Sequence, residues 1–479
     1  MKNCFNATLI TFIFIVIFQL PFNTRAQYGF EKYFGNQGAN NNGFGLVQTT
    51  DGGFILCGSS DNNALMIKTD QHGDEMWHQD FTDGNMECIR LVSDGGYITA
   101  GTNYSSPYSG VFRKTDSLGN EVWNYQINSG AFSHYGISAM QMQDGHFVFL
   151  ENDTYPFQEY MRVWKVDSGS RATQWTTEIN KVSNCSPGAL IQTIDSGIVV
   201  TCGDFTTAFP HLILAKLHPD SLLEWKKDYG YPGTINAGLA GNTVIQTNDS
   251  NFLVMGYKVT GSLQSDFSLF LMKVNASGDS LWSKTYIMRN SNDFPSVIQT
   301  QDGGFALVST VAYPPSGGNF DYRIVLMKTN STGDSLWSKE FMGLGLNQAH
   351  QLIQCNDGGY AILGTSTDQN IGENYFYLIK TDSTGDILNS ANAWIDQEKN
   401  LLHFPGLLTN QENISIDIPD RFGKGNYRVF DLSGRMSAKG NLTEGRNSIS
   451  TQALSNGIFF IQFEFKNYHD FRKFCTLKE

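Results

Sequence analysis

Between residues 296 and 339 apolar and polar side chains alternate with a period of two. The segments are Ser296-Val297-Ile298-Gln299-Thr300, Phe305-Ala306-Leu307-Val308, Ile324-Val325-Leu326-Met327-Lys328 and Ser335-Leu336-Trp337-Ser338-Lys339. That period places successive side chains on opposite faces of an extended chain, so the stretch predicts four short β-strands. Gln-Asp-Gly-Gly joins the first pair, and glycine there reaches positive φ at no steric cost, as a tight hairpin requires. Asn330-Ser331-Thr332-Gly333-Asp334 joins the third strand to the fourth with another turn-forming cluster.

The unit recurs seven times. Its first turn reads Asp51-Gly52-Gly53-Phe54, Asp94-Gly95-Gly96-Tyr97, Asp144-Gly145-His146-Phe147, Asp195-Ser196-Gly197-Ile198, Asp249-Ser250-Asn251-Phe252, Asp302-Gly303-Gly304-Phe305 and Asp357-Gly358-Gly359-Tyr360, spaced by 43 to 55 residues. A second anchor follows in step, running from Lys68 to Trp77, Lys114 to Trp123, Lys165 to Trp175, Lys216 to Trp225, Lys273 to Trp282, Lys328 to Trp337, and Lys380 to Asn389, where the tryptophan is missing. Repeats of this length are supersecondary units that cannot bury their faces alone. Four antiparallel strands per unit, seven units and no helical periodicity predict an all-β, seven-bladed propeller, a closed ring with short sheet edges. A linear solenoid is the alternative, and it requires parallel strands and shorter repeats.

Phe30-Glu31-Lys32-Tyr33-Phe34 has the register of Trp282-Ser283-Lys284-Thr285-Tyr286, a fourth strand with no first three before it. The seventh unit lacks that strand, so the N-terminal segment is expected to complete the last blade and close the ring. An open ring would expose two unpaired edges.

The predicted organisation is a secretory signal over 1–26, the propeller over 27–395, a polar linker over 396–412 and a small C-terminal β-sandwich over 413–479. The signal rests on Lys2, the apolar run Leu9 to Phe22 and the small-residue pattern Thr24-Arg25-Ala26. No later stretch is long enough to span a membrane as a helix. A net charge of −13 without a basic stripe argues against a nucleic-acid partner, and a monomer is expected. Of seven cysteines, six follow the signal, with no metal-type spacing. Cys185 and Cys202 flank one hairpin and could face each other; buried free thiols are the other reading.

Val429-Phe430-Asp431-Leu432-Ser433-Gly434-Arg435, then Leu454-Ser455-Asn456-Gly457-Ile458-Phe459-Phe460, then Lys473-Phe474 resemble the three ordered motifs of the type A C-terminal sorting domain of the type IX secretion system. The resemblance implies Asp431, Gly434, Arg435, Gly457 and Lys473 as sorting-motif residues, the secretion machinery as partner, and delivery outside the cell or to its surface. The repeated Lys-x-Asp-x-x-Gly-x-x-x-Trp segment resembles the tryptophan-docking motif of quinoprotein-type propellers. That resemblance implies a structural girdle of Trp77, Trp123, Trp175, Trp225, Trp282 and Trp337, while the vicinal cysteines of a quinone site are missing and no cofactor is expected.

Function is then expected in the loops where the repeat lapses. Candidate ligand-binding residues between second and third strands are Tyr104, Tyr108, Tyr155, Tyr160, Phe205, Tyr257, Tyr313 and Tyr322; between blades they are Phe132, His134, Tyr135, Tyr231, Asp293 and His350. Aromatic platforms beside amides and carboxylates suit a glycan or a protein surface, giving a binding or adhesion module. No HExxH, GxSxG, phosphate-binding or calcium loop occurs. A hydrolase with carboxylates gathered from different blades at the channel is the alternative.

Overall fold

The computed structural model describes residues 29–82, 84–128, 132–155, 158–182, 185–206, 210–230, 239–259, 267–286, 296–313, 321–387, 407–409, 413–418, 423–431, 435–452, 454–465 and 468–477. The expected signal and most of the expected linker lie outside these residues, as do Tyr231, Asp293 and Gly434.

Seven four-stranded antiparallel sheets follow one another along the chain. Blades 1 to 6 occupy 41–81, 88–127, 133–182, 185–229, 239–286 and 296–341. Blade 7 combines Gly345–Gln354, Tyr360–Asp368 and Glu373–Thr381 with Phe30–Phe34 on its outer edge. The N-terminal strand pairs antiparallel with the third strand of that blade, Phe30 opposite Lys380, as Trp337 stands opposite Lys328 in blade 6.

The two sequence anchors are one physical device. In every blade the lysine of the second anchor reaches back to the aspartate of the first, as in Lys68 to Asp51 at 3.0 Å, Lys114 to Asp94 at 2.7 Å, Lys273 to Asp249 at 2.6 Å and Lys380 to Asp357 at 2.8 Å. Lys165, Lys216 and Lys328 do the same with Asp144, Asp195 and Asp302. The lysine stem is buried between sheets, and its ammonium also donates to a neighbouring carbonyl, Lys68 to Thr69 O at 2.6 Å and Lys380 to Thr381 O at 2.8 Å. A buried cation is tolerable only when so satisfied. Burial alone would raise the Asp51, Asp195 and Asp302 carboxyls. Hydrogen bonds from the nearby threonine, the lysine and a turn amide outweigh it and hold all three down at about 2.

Between blades, the outer-strand aromatic of one blade packs on both anchors of the next. Trp123 meets Phe147, Trp225 meets Phe252, Trp282 meets Phe305 and Trp337 meets Tyr360 with ring centroids 5.2 to 6.3 Å apart. Phe30 takes this place in blade 7, 6.3 Å from Phe54 of blade 1. The glycine of the second turn must be small for this. A Cβ on Gly119 would lie 2.6 Å from the Trp77 ring, and one on Gly73 would lie 2.5 Å from the Phe30 ring.

On the face carrying the first turns, a belt of glutamines ties inner strands together. Gln141, Gln192, Gln246, Gln299 and Gln354 each accept from a turn amide of the preceding blade. Gln48 of blade 1 accepts from Asn356 N of blade 7 at 2.9 Å, which joins the ends of the ring. Blade 2 carries exposed Leu91 at this position.

The C-terminal unit is a five-stranded sheet, ordered Leu407–Thr409, Tyr468–Leu477, Gly457–Phe465, Gly425–Asp431 and Met436–Leu442, with a separate pair Asn413–Ile418 and Gly445–Ser450. Ile414, Ile416, Ile449, Val429, Ile461 and Phe463 form its core. Among the described residues no helix is long and apolar enough to cross a membrane.

Candidate functional site

All seven inner strands open onto one central cavity of about 660 Å³. Its wall is unequal. Blades 4 to 6 contribute small and aliphatic residues such as Ala189, Ile191, Val244 and Val297, whereas blades 1 to 3 and 7 contribute Phe44, Glu87, Arg90, Tyr135, Asn152, Glu159 and His350. Blade 3 accounts for much of this asymmetry. Its second and third strands, Phe147–Tyr155 and Gln158–Val166, run nine residues each, as those of blades 6 and 7 also do, against seven for Tyr97–Asn103 and Ser109–Thr115 of blade 2. The longer hairpin carries Asn152, Thr154 and Glu159 to the cavity.

Three tyrosines meet at the blade 2 to blade 3 side. Tyr104 and Tyr108 lie 5.7 Å apart at 62°, and Tyr108 and Tyr135 lie 5.9 Å apart at 86°, all edge to face. That is the favoured geometry for aromatic pairs, and here it turns ring faces in different directions. Glu87 sits beside them on the cavity wall. Its carboxyl is pushed up by burial, against a hydrogen bond from Asn85 Nδ2 at 2.5 Å. The Tyr104 phenol is pushed up to about 12, first by burial and then by the Glu87 charge. On the blade 7 to blade 1 side His350 packs edge to face on Phe44 at 4.9 Å, and burial holds its imidazole down at about 4, neutral at pH 7.

A second polar group lies between blades 2 and 3. His134 Nδ1 is 2.6 Å from Asp153 Oδ1 and 3.5 Å from Glu151 Oε2, and all three side chains are buried. Arg162 pairs with the other oxygen of Asp153, and Trp164 Nε1 donates to Glu151 Oε1 at 2.6 Å. Burial opposes the imidazolium, but the hydrogen bonds and charges of the two carboxylates raise it; burial raises Glu151.

Of the sequence candidates, Tyr135 and His350 reach the cavity wall, with Tyr104 and Tyr108 beside Tyr135 and His134 in the adjoining cluster. Others stand elsewhere. Tyr257 is buried within blade 5, and Tyr313 donates its hydroxyl to Glu340 with Arg323 over its ring at 4.5 Å. Tyr160 carries Arg162 5.2 Å over its ring. Phe205 is exposed, and Phe132 and Tyr322 are half-buried. Tyr155 lies at the end of the second strand of blade 3. Several candidates expected in loops belong to strands, because the hairpins extend past the strictly alternating core. Glu87, Arg90, Glu151, Asp153 and Glu159 were not among the candidates. The cysteines Cys185 and Cys202 are not directly opposed, since Cys185 pairs with Asp204 and Cys202 with Pro187.

In the C-terminal unit Asp431 closes the turn to Arg435, accepting from its amide at 3.0 Å and its Nε at 3.2 Å. Gly457 has φ +152 and begins the central strand, in which Phe460 pairs with Lys473.

Residues 408–476 match the family model described as "Secretion system C-terminal sorting domain". The molecule is therefore a seven-bladed propeller carrying a type IX secretion sorting domain, exported to the cell surface or the extracellular space. No curated protein matches the sequence significantly. Similar solved structures include a virginiamycin B lyase from Staphylococcus aureus, 11% identical over 73% of this chain and 99% of that one, with a TM-score of 0.46. A PL25 ulvan lyase is 9% identical over 73% and 96%, also at 0.46. An α-L-arabinofuranosidase from Fusarium graminearum is 11% identical over 62% and 92%, at 0.44.

Proposed function

We propose that this exported propeller captures a carbohydrate at the blade 2 to blade 3 side of its central cavity and holds it without turnover. The observation that carries this reading is the position of Tyr135. It lines the cavity, stands edge to face with Tyr108, and shares the wall with Glu87, Asn152, Thr154 and Glu159. Sugar rings offer an apolar C–H face and a rim of hydroxyls. Tyrosine rings cover the first, while carboxylates, amides and hydroxyls take the second with directional hydrogen bonds. The cavity volume falls within the range of small-molecule sites, about 300–1,000 Å³.

One observation favours a second reading. Glu87 and Glu159 both face the cavity, and burial raises Glu87 toward the protonated state that a general acid needs. In that case the same site cleaves the sugar that it binds.

The test is a glycan array with the full-length chain, followed by mass spectrometry of each bound glycan after prolonged incubation. Capture of intact sugar supports the binding reading. Cleavage that Glu87→Gln abolishes while binding persists establishes the second. Uniform silence on the array refutes carbohydrate recognition.

A further inference from the structure

Aligning the blades by strand register shows three coincident departures in blade 3. His134 pairs with Asp153, as Asn41 pairs with Ser60 in blade 1 and Asn347 with Ser366 in blade 7. Glu151 pairs with Gly136, where blade 1 pairs Gly43 with Gly58 and blade 7 pairs Ala349 with Gly364. In blades 1 and 7 these positions are structural. Asn41 and Asn347 donate to loop and neighbouring-blade carbonyls, and a Cβ on Gly58 or Gly364 would strike the backbone of its partner strand. Blade 3 replaces asparagine, glycine and serine by histidine, glutamate and aspartate, and the three new side chains converge.

We propose that His134, Glu151 and Asp153 form a site for a divalent transition-metal ion of the zinc class, with His134 Nδ1, Glu151 Oε2 and Asp153 Oδ1 as ligands. One ligand atom from each lies within 4.8 Å of the others, and all three residues are buried. Glu151 Oε2 is buried and faces His134 Nδ1 at 3.5 Å, the edge of hydrogen-bond reach, with no well-formed hydrogen bond. The outward atoms are anchored instead. Trp164 holds Glu151 Oε1, and Arg162 holds Asp153 Oδ2 while reaching Glu178 at 3.8 Å. Outer hydrogen bonds of this kind orient ligating carboxylates. One imidazole and two carboxylates suit zinc, leaving a fourth position for water. Glycine lies beside the cluster: a Cβ on Gly110 of blade 2 would stand in ordinary contact, 3.7 Å from Glu151 Oε2, and binding the ion requires His134 Nδ1 and Asp153 Oδ1 to give up their 2.6 Å contact and move apart.

The full-length chain, stripped with chelator and dialysed against zinc chloride, is expected to retain about one zinc per chain by elemental analysis. Its zinc absorption-edge spectrum is expected to show one histidine nitrogen with oxygens at about 2.0–2.2 Å and no sulfur. Glu151→Gln keeps the shape and removes the anionic ligand, so affinity should fall by about 100-fold or more; Trp164→Phe removes only the outer donor and should cost about 10-fold. No retained zinc overturns the proposal. So do sulfur scattering at the metal, or equal affinity in the Glu151→Gln variant.

Discussion

Phe30→Ala removes the aromatic by which the N-terminal strand locks blade 7 onto blade 1. Phe30 is 8% exposed, belongs to the core shared by these blades, packs edge to face on Phe54 at 6.3 Å and covers Gly73. Truncating a buried phenylalanine costs about 3–5 kcal/mol, and the lower end applies at a ring edge, where neighbours can relax into the gap. The adjacent Lys32 to Asp74 pair at 3.0 Å is solvent-exposed and adds little. A loss of about 3 kcal/mol from a propeller of this size corresponds to about 4 °C in Tm. Differential scanning calorimetry at a fixed scan rate measures it, with Trp337→Ala as the matched change at an internal blade junction. The two variants should fall by similar amounts, because Phe30 occupies the tryptophan's place. A Phe30→Ala shift below about 1 °C, beside a full effect from Trp337→Ala, would refute closure by this strand.

Two further outcomes follow from the same packing. Asp51, Asp195 and Asp302 take up protons at about 2 in the folded chain against an ordinary 3.8. As pH falls from about 4 toward 2 the unfolded chain therefore binds protons first, and stability present above that window is lost through it. The carboxylates are 54 to 62% exposed, so screening reduces the effect to about 0.5–1 kcal/mol each, read as a falling denaturation midpoint in urea titrations at stepped pH. Leu91→Gln restores the missing member of the glutamine belt, with the Thr50 amide and the Gly95 carbonyl as partners. It should stabilise by about 1 kcal/mol, a Tm rise of about 1 °C, and an unchanged or lower Tm would count against the belt.

The ring was legible in the sequence because its determinants are local and repeated: alternation, a glycine turn, and an aromatic at fixed phase. Phe30 could be matched to Trp282 by phase alone. Long-range meaning was not legible. That Lys68 answers Asp51, and that a tryptophan packs on the next blade's turn, emerges only when strands are laid side by side. The C-terminal strand Met436–Leu442 carries little alternation to read, because its one fully buried side chain is Leu442 while Met436 is exposed. Such a polar edge strand, carrying Lys439, resists further pairing. The carboxylates Glu151 and Asp153 were missed for another reason. Motif searches look along one segment, whereas these residues meet a histidine from the adjacent strand. Comparing the copies would have exposed them, since Glu151 stands where blades 1 and 7 need glycine.

The claim that function resides at the tyrosine-lined side of the cavity is tested most directly by one comparison. Calorimetric titration of a captured glycan is carried out on the unmodified chain, on Tyr135→Ala and on Tyr313→Ala, the last altering a tyrosine of blade 6 engaged with Arg323 and Glu340. Loss of a ring that stacks on a sugar costs about 1–3 kcal/mol, so Tyr135→Ala should weaken binding by about 5- to 150-fold while Tyr313→Ala leaves it unchanged. Equal affinity of all three proteins would place the ligand elsewhere and contradict the account.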